Sequence, residues 1–422
     1  MRCERKFRFK LNRKYIIFYL PVLSYLSFWY LYSAFCNYMN VQMGDDSGKQ
    51  PRHRNLTPLR MMRGIFCLIV LVLSAFMVLV YFGFWTATGL RIISVHYSRV
   101  GTSFFFGCWL ALWPFWFEKI NKTKVVISGD SVPPAKRVLV IANHRTEVDW
   151  MYLWDLALRK GCVGSIRYIL KSSLMKLPVF GWVFHIMEFI PVERRWEADA
   201  LKLRQILYTY KDPEDPLWLV VFPEGTDFTT SLRTYWLPYF QNREQKCIRS
   251  KKYASENGLP ILNNVLLPKT KGFYACLEEL RGSLDAVYDI TIGYKHHCPS
   301  FLDNAFGVDP AEVHMHVRCI AIVDIPESEN EAASWLMDTF CDKDKLLSDF
   351  HSQGHFPREG IESELSTAKC LANFIFVLTS TALCTYLTLF SSIWFKIYVS
   401  SVCAYLTTAT YFNFRPSPIV SL

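Results

Sequence analysis

The sequence lacks several patterns that mark common classes of protein. Its 13 cysteines include no C-x-x-C pair, so neither a disulfide framework nor a cysteine-bound zinc site is indicated. No G-x-S-x-G motif is present, which argues against a serine nucleophile elbow. No zinc-finger or aromatic-interleaved basic motif accompanies the net charge of +10. The basic excess therefore indicates anionic lipid or phosphorylated substrates as partners, and no nucleic acid.

Apolar and aromatic residues are abundant instead. Of 422 residues, 51% are hydrophobic and 16% aromatic, which predicts one medium-sized domain combined with membrane-embedded segments. The charge-free run 65–85 has the length of a membrane-spanning helix, and the shorter run 104–117 either returns through the bilayer or lies at its surface. The runs 371–390 and 394–412 predict a helical hairpin with both basic ends on the cytosolic side. The aromatic run 15–36 is interpreted as interfacial or re-entrant.

Between these runs the pattern changes to short apolar stretches that alternate with amphipathic ones. This alternation predicts an α/β fold with a mostly central β-sheet flanked by helices. The expected strands are 124–127, 138–142, 166–170, 189–192, 217–222, 265–267, 287–292 and 313–322. The expected regions are a basic N-terminal extension (1–55), N-terminal membrane-embedded helices (56–120), the α/β domain (121–330), a surface helix with a linker (331–368) and a C-terminal transmembrane hairpin (369–422).

The stretch VLVIANHRTEVDW, residues 138–150, carries the strongest candidate for chemistry. An apolar strand stops at a polar turn that contains His144, and a helical pattern follows in which Asp149 occupies the first turn. On one continuous helix five residues rotate through roughly 500°, so the two side chains would face apart, whereas the turn lets the imidazole fold back onto the carboxylate. One ring nitrogen is then fixed and the other is free to take a proton. A polar turn that merely caps a helix has the same pattern.

A second strand also ends in a polar turn, in the stretch LWLVVFPEGTD. Gly225 lets the backbone approach a ligand closely, Thr226 offers a hydroxyl group, and Glu224 is suited to orient a neighbouring cation or hydroxyl.

Two further blocks are basic. FIPVERR presents Arg194 and Arg195, whose guanidinium groups suit phosphate binding. VLLPKTKGF places Lys269 and Lys271 after a turn fixed by Pro268. Because each block follows a predicted strand, all are expected at one edge of the sheet.

In sequence and order, NHRTEVD, PVERR, FPEGTD and LLPKTKGF resemble the motifs of the glycerolipid acyltransferases that acylate lysophosphatidic acid and its relatives. Together with YILKSSLMKLPVFGW and the flanking membrane segments, the chain from residue 56 onward is similar to the plant-type and lysocardiolipin-type branch of the 1-acyl-sn-glycerol-3-phosphate acyltransferases. The His-x4-Asp block alone is weak, whereas four blocks in order are specific.

The resemblance implies that His144 is the general base that deprotonates the 2-hydroxyl of the acceptor, and that Asp149 orients it. It implies acyl-CoA as co-substrate with no other cofactor and no metal, and lysophosphatidic acid or a related lysophospholipid as acceptor. The product is phosphatidic acid, made at the endoplasmic reticulum membrane with the catalytic domain in the cytosol. The residues that the resemblance assigns to substrate binding are Glu224, Gly225, Thr226, Arg194, Arg195, Lys171 and Pro268.

Two departures from the family pattern leave more than one function open. Many relatives carry a basic residue where this chain has Asp227, so phosphate binding would shift to Arg194, Arg195 or Lys171. The stretch 230–244 resembles an insertion, which would suit a catalytically impaired membrane scaffold. The same residues also fit a membrane hydrolase in which the His-Asp pair activates water, or an enzyme that acylates lysocardiolipin or lysophosphatidylinositol.

Other polar pairs suggest less. His314 and His316 alternate on one strand, but no third metal ligand lies near them in the sequence. Asp342 and Asp344 lie in an expected helix beside lysines, a pattern typical of solvated charge.

Overall fold

The computed structural model describes residues 56–133, 137–228, 243–296, 298–308, 312–358 and 364–419. The expected segment 15–36 and residues 230–242 of the insertion lie outside these residues. The strands are β1 (Lys124–Gly129), β2 (Arg137–Ala142), β3 (Ile166–Lys171), β4 (Ile190–Val192), β5 (Leu217–Val221), β6 (Ala286–Tyr294) and β7 (Glu312–Ala321). The longer helices are α1 (Pro58–Ile93), α2 (Val95–Ile120), α3 (Asp149–Arg159), α4 (Phe180–Ile186), α5 (Trp196–Tyr208), α6 (Arg243–Glu256), α7 (Thr270–Leu280), α8 (Phe301–Phe306), α9 (Glu329–Gln353), α10 (Thr367–Phe390) and α11 (Ile393–Phe412).

The seven strands form one mixed sheet in the order β1-β7-β6-β2-β5-β3-β4. The strands from β6 to β4 run parallel to one another, whereas β7 is antiparallel to β6 and β1 follows the direction of β7. The carboxyl ends of β2, β4 and β5, which three of the four polar blocks follow, therefore lie at one edge of the sheet.

Both faces of the sheet are buried, which is why its strands read as nearly continuous apolar runs. On β2, Val138, Val140 and Ala142 face a core shared with α1, α2 and α3, whereas Leu139 and Ile141 face a second core shared with α5, α7 and α9. The predicted α/β fold with a central sheet flanked by helices is confirmed. The sheet lies between one layer of helices that continues into the apolar segments and one layer that is amphipathic.

Three helices are long and apolar enough to cross a membrane: α1, α2 and α10. The most apolar stretches of these helices differ in burial. In α1 56% of that stretch is buried inside the protein and in α2 67%, but in α10 only 17%. The helix expected over 394–412 forms as α11, yet among the described residues it is not one of the three. Its run is interrupted by Lys396 and by several hydroxyl-bearing residues.

The α1–α2 hairpin lies along the sheet from one edge to the other. Near its base, the indole of Trp116 donates to the carbonyl of Ala305 in α8 at 3.1 Å. Near its tip, Arg99 forms an ion pair with Asp215 immediately before β5 at 2.7 Å. The apolar N-terminal helices are thus fixed to the α/β domain at both ends.

One predicted strand was wrong. Residues 265–267 form a loop because their backbone N–H groups bond to side chains rather than to a neighbouring strand. Val265 donates to Asp344, Leu266 to Glu224 at 3.0 Å and Leu267 to Ser250 at 3.2 Å. Asp344 also accepts the N–H groups of Asn263 and Asn264, so its interpretation as solvated charge was wrong too.

Candidate active site

The turn between β2 and α3 brings His144 and Asp149 together. The imidazole Nδ1 lies 2.9 Å from Asp149 Oδ2, and the histidine side chain is 18% exposed while the aspartate is fully buried. The turn is fixed by Asn143, whose side-chain amide exchanges two hydrogen bonds with the backbone of Ile292 on β6. The predicted contact across five residues is therefore present, and the imidazole is the partner that reaches solvent.

Two further groups donate hydrogen bonds to the Asp149 carboxylate. The backbone N–H of Thr146 lies 2.9 Å from Oδ2, and the hydroxyl of Tyr294 lies 2.5 Å from Oδ1. The carboxylate is thus held by three hydrogen-bond donors, counting the imidazole. The sequence interpretation missed Tyr294. The only signal was its position at the end of β6, on the edge where His144 lies.

The environment of His144 adjusts its basicity. Its ring stacks on Phe222 with centroids 4.5 Å apart and planes inclined by 28°. Burial lowers the pKa of His144, but the hydrogen bond and charge of Asp149, assisted by Asp227 and Glu224, raise it above its ordinary value. Among the described residues none donates a hydrogen bond to Nε2. The imidazole thus carries an available nitrogen of raised basicity.

Glu224 links three of the four blocks. Its carboxylate is 3% exposed and accepts the N–H of His144 at 2.7 Å and that of Leu266 at 3.0 Å. Burial raises the pKa of Glu224 to about 7, against the two N–H donors, which lower it. Lys269 N–H also donates to the carbonyl of Pro223 at 2.8 Å, so the fourth block reaches the site without a strand.

A pair of basic side chains lies beside this turn. Gly225 has φ +70°, and a Cβ placed there would lie 3.1 Å from the Nζ of Lys269. Glycine is therefore needed both for the left-handed backbone and for the close approach of the lysine. Burial, and secondarily the charge of Arg194, lower the pKa of Lys269. Arg194 itself has φ +64°, a conformation that non-glycine residues adopt rarely and most often at functional sites.

The acidic residue of the second block has a basic partner. Lys246 on α6 lies 3.7 Å from Asp227 Oδ1 and donates to the hydroxyl of Thr226 at 2.6 Å. Lys246 therefore returns the positive charge that Asp227 removes from this turn. The sequence interpretation did not connect the two residues, because residues 228–245 separate them.

The remaining predicted residues lie on neighbouring elements. Lys171 ends β3 and pairs in register with Val192 at the end of β4, two residues before Arg194. Arg195 precedes α5, and its N–H bonds to Asp199 at 2.9 Å. Pro268 is buried beside Lys269. No cluster of three or more potential metal ligands occurs among the described residues.

The arrangement is suited to remove a proton from a neutral nucleophile held by an anionic group. His144 Nε2 is the acceptor, Asp149 holds Nδ1, and Lys269 with Arg194 supplies positive charge nearby.

Comparison with known proteins gives a consistent result. Residues 124–295 match the family described as Acyltransferase, and residues 305–377 match the one described as Acyltransferase C-terminus. The chain is 62% identical over 371 residues to the Arabidopsis thaliana protein named "Probable 1-acyl-sn-glycerol-3-phosphate acyltransferase 5", covering 88% of this chain and 95% of that one. It is 34% identical to lysocardiolipin acyltransferase 1 of Gallus gallus, over 69% of this chain and 74% of that one. It is 37% identical to 1-acyl-sn-glycerol-3-phosphate acyltransferase 2 of Brassica oleracea, over 53% of this chain and 54% of that one.

Proposed function

The chain belongs to the 1-acyl-sn-glycerol-3-phosphate acyltransferase family, in its plant-type and lysocardiolipin-acyltransferase-like branch, and we propose that it acylates the sn-2 hydroxyl of 1-acyl-sn-glycerol-3-phosphate. The donor is acyl-CoA and the product is phosphatidic acid, a step of phospholipid biosynthesis. The observation that carries the proposal is the 2.9 Å contact between His144 and Asp149, with Nε2 available beside a cationic turn.

His144 performs the proton transfers. Its Nε2 takes the proton of the sn-2 hydroxyl, and the oxygen attacks the carbonyl carbon of the thioester. When the tetrahedral intermediate collapses, the carbon–sulfur bond breaks and the protonated imidazole returns the proton to the leaving thiolate of CoA. A histidine of raised pKa suits both proton transfers. The neutral imidazole accepts a proton from an alcohol, and the protonated imidazole is acidic enough to protonate the thiolate.

Asp149 keeps the imidazole in the required tautomer. Its carboxylate accepts a hydrogen bond from the Nδ1–H group, which leaves Nε2 without a proton. Tyr294 and Thr146 hold that carboxylate from its other sides, so the pair is preorganised before substrate binds. Glu224 acts through the backbone by fixing the turn, rather than by touching the acceptor.

Lys269 and Arg194 bind the acceptor phosphate, with Lys171 next to them at the strand ends. Charge-assisted hydrogen bonds to a phosphate are the contacts that these side chains form best. Thr226 and Gly225 shape the turn on which the glycerol backbone rests. Lys246 neutralises Asp227, so the acidic substitution does not repel the phosphate.

The bilayer supplies the substrate. The exposed apolar surface of α10 and the apolar α1–α2 hairpin support a position of the α/β domain at a membrane, from which the lysolipid and the acyl chain enter. A location in the endoplasmic reticulum, several membrane passes and a cytosolic catalytic domain complete the proposal.

A second acceptor class is favoured by one observation. The chain is 34% identical to a lysocardiolipin acyltransferase over 69% of its length. The acceptor would then be lysocardiolipin or lysophosphatidylinositol, and the product cardiolipin or phosphatidylinositol.

The test is an acyl-transfer assay with membranes that contain the full chain or its His144→Ala variant. Each is incubated with labelled acyl-CoA and one member of a panel of lysophospholipids, and the labelled lipid is identified. We expect phosphatidic acid from lysophosphatidic acid, at a rate lost in His144→Ala. A labelled cardiolipin or phosphatidylinositol in its place would establish the second class, and no labelled lipid with any acceptor would reject the function.

A further inference from the structure

Arginine side chains converge on the edge of the sheet opposite to His144. Arg167 is the second residue of β3, whose other end, Lys171, lies at the edge of the candidate active site. A strand of six residues spans roughly 17 Å at about 3.3 Å per residue. The arginine cleft, defined by Arg91, Arg99, Arg167 and Arg415, is thus separated from the candidate active site by the length of the sheet.

Two buried carboxylates partly balance these arginines. Glu188 accepts Arg91 Nη1 at 2.5 Å and Arg99 Nε at 2.9 Å. Asp215 accepts Arg99 Nη1 at 2.7 Å and also contacts His96 at 2.6 Å. In the described part of the cleft, four guanidinium groups therefore face two carboxylates, which leaves two positive charges in excess. Burial alone would raise the pKa of Glu188, but the surrounding arginines hold it well below its usual range.

Two arginine donor atoms in the cleft have no acceptor among the described residues. Arg99 is 8% exposed, and its Nη2 forms no hydrogen bond in the described structure, nor does Arg415 Nε. Arg415 Nη2 donates to the carbonyl of His185 at 3.0 Å, and Arg167 Nη1 to that of Gly164 at 2.9 Å. A buried charged donor without an acceptor is costly, and such groups usually have a partner.

The size and lining of the cleft limit what it can hold. The space left between its side chains is small, about 20 Å³, and opens to the outside, with Arg99, Arg167 and Arg415 in its wall. The wall also includes Ile186, Leu406 and Phe414, so polar donors lie next to apolar surface. It is formed where the tip of the α1–α2 hairpin and the end of α11 meet the α/β domain. This combination suits a tetrahedral oxyanion that carries an organic substituent.

We propose that the arginine cleft binds a phosphate group, either that of a phospholipid headgroup or free inorganic phosphate. Its oxygens accept the unpartnered N–H groups of Arg99 and Arg415 and balance the excess charge. Because the bound group touches the hairpin, the end of α11 and β3 at once, binding stabilises the junction between the apolar helices and the α/β domain. This second site is independent of the acyl-transfer reaction.

The experiment measures the thermal unfolding of the purified full chain in detergent, with the Arg194→Gln substitution present throughout so that phosphate binding at the candidate active site is weakened. Inorganic phosphate is titrated against chloride at matched ionic strength. Dioctanoyl phosphatidylglycerol is titrated against dioctanoylglycerol, which has the same chains without the phosphate. We expect each phosphate ligand to raise the Tm above its control. A lipid that acts at far lower concentration than inorganic phosphate would assign the site to a headgroup; equal potency would assign it to free phosphate.

Three variants locate the effect. Arg415→Gln removes a cation from the cleft and should weaken the apparent affinity at least about tenfold, as expected for a charge-assisted contact. Ala87→Leu narrows the cleft while every arginine stays in place, and it should weaken binding likewise. Arg281→Gln is the matched control, because Arg281 also donates to backbone carbonyls but lies outside the cleft.

The proposal is overturned if neither phosphate ligand raises the Tm above its control. It is equally overturned if Arg415→Gln and Ala87→Leu respond to phosphate as strongly as Arg281→Gln does. If Arg415→Gln does not fold, Ala87→Leu decides alone. Because no outcome depends on acyl transfer, failure here would leave the proposed function standing, and failure of the function would leave this site standing.

Discussion

The parallel strands β2 to β6 begin at one side of the sheet and end at the other, here called its amino edge and its carboxyl edge. Buried charged groups differ between these two edges. At the carboxyl edge, Asp149 and Glu224 are carboxylates whose oxygens accept N–H and O–H donors from neighbouring segments. At the amino edge, arginines outnumber carboxylates among the described residues, and some of the arginine donors have no acceptor there. The first arrangement is complete without a ligand and fixes one imidazole in place. The second is incomplete, and a bound anion would complete it.

This difference predicts how each edge should respond to substitution. At the carboxyl edge every carboxylate already has its hydrogen-bond partners, so a substitution there disrupts a preorganised geometry. Its effect is largest on the chemical step. Where charge is in excess, a change alters affinity for an added anion. Substitutions at the carboxyl edge should therefore have effects that decrease from the proton-transfer pair to the charges around it.

Asp149→Asn should have the largest effect. The asparagine NH2 donates to Nδ1, so the imidazole proton moves to Nε2 and the base is blocked. We expect kcat to fall at least about a hundredfold, within the range typical of general-base catalysis. Initial rates of acyl transfer check this. Asp155→Asn is the matched control, since Asp155 is equally buried on α3 but pairs with Arg159. A comparable loss of kcat in both variants would contradict the role of Asp149.

Arg194→Gln should weaken acceptor binding more than Arg195→Gln. Arg194 is close enough to Lys269 to lower the pKa of that lysine. Loss of one charge-assisted contact to the acceptor phosphate costs ~2 kcal/mol, about thirtyfold in KM, with kcat changed less. Steady-state kinetics over lysophosphatidic acid concentration measures both constants. Equal KM values for the two variants would place the phosphate elsewhere.

Glu224→Gln should destabilise the fold by about 1–3 kcal/mol, because a glutamine side chain has only one oxygen for two N–H donors. Since burial raises the folded pKa of Glu224 from 4.5 to about 7, its titration contributes stability that is present below about pH 4.5 and lost as the pH rises through about 7. Thermal unfolding between these pH values should therefore show a shallower slope in the variant. If the variant had the same Tm as the wild type and the same slope of stability against pH, Glu224 would not be the residue that links these blocks.

Asp227→Asn should have the smallest effect, confined to pH dependence. Asp227 is one of the carboxylates that raise the pKa of His144, so its neutralisation lowers that pKa. The acid limb of kcat/KM, which falls as His144 becomes protonated, should move to lower pH by less than about one unit. Glu278→Gln, a surface carboxylate paired with Arg204, serves as the control and should leave the limb in place. Movement to higher pH would reject the assignment of that limb to His144.

The carboxyl edge could be predicted because its residues lie in contiguous blocks. A strand that ends in a polar turn places His144 and Asp149 within reach by local geometry alone, and the parallel strands then bring the FPEGTD and PVERR blocks beside them. Pairs that depend on packing between distant segments could not be predicted in the same way. Tyr294 reaches Asp149 across 145 residues, and Lys246 on α6 reaches Thr226 in the turn after β5.

The arginine cleft at the amino edge could not be predicted from the sequence for the same reason. Arg91, Arg167 and Arg415 belong to separate segments, and each by itself resembles an ordinary surface or flanking charge. The loop at 265–267 is the opposite case, a strand that was predicted but does not form. Its residues are apolar, but its N–H groups donate to side-chain acceptors that are remote in the sequence. Local pattern determines strands and turns, whereas tertiary contacts determine which polar groups meet.

The most direct test of the central claim is kcat/KM for acyl transfer by His144→Ala, measured in lipid nanodiscs beside the wild type and His351→Ala. His351 is an exposed histidine on α9, so its loss controls for a general effect of the substitution. We expect His144→Ala to lose about 10²–10⁴-fold in kcat/KM while its Tm stays near that of the wild type, because the change removes a base rather than core packing. Full activity in a folded His144→Ala protein would contradict the mechanism.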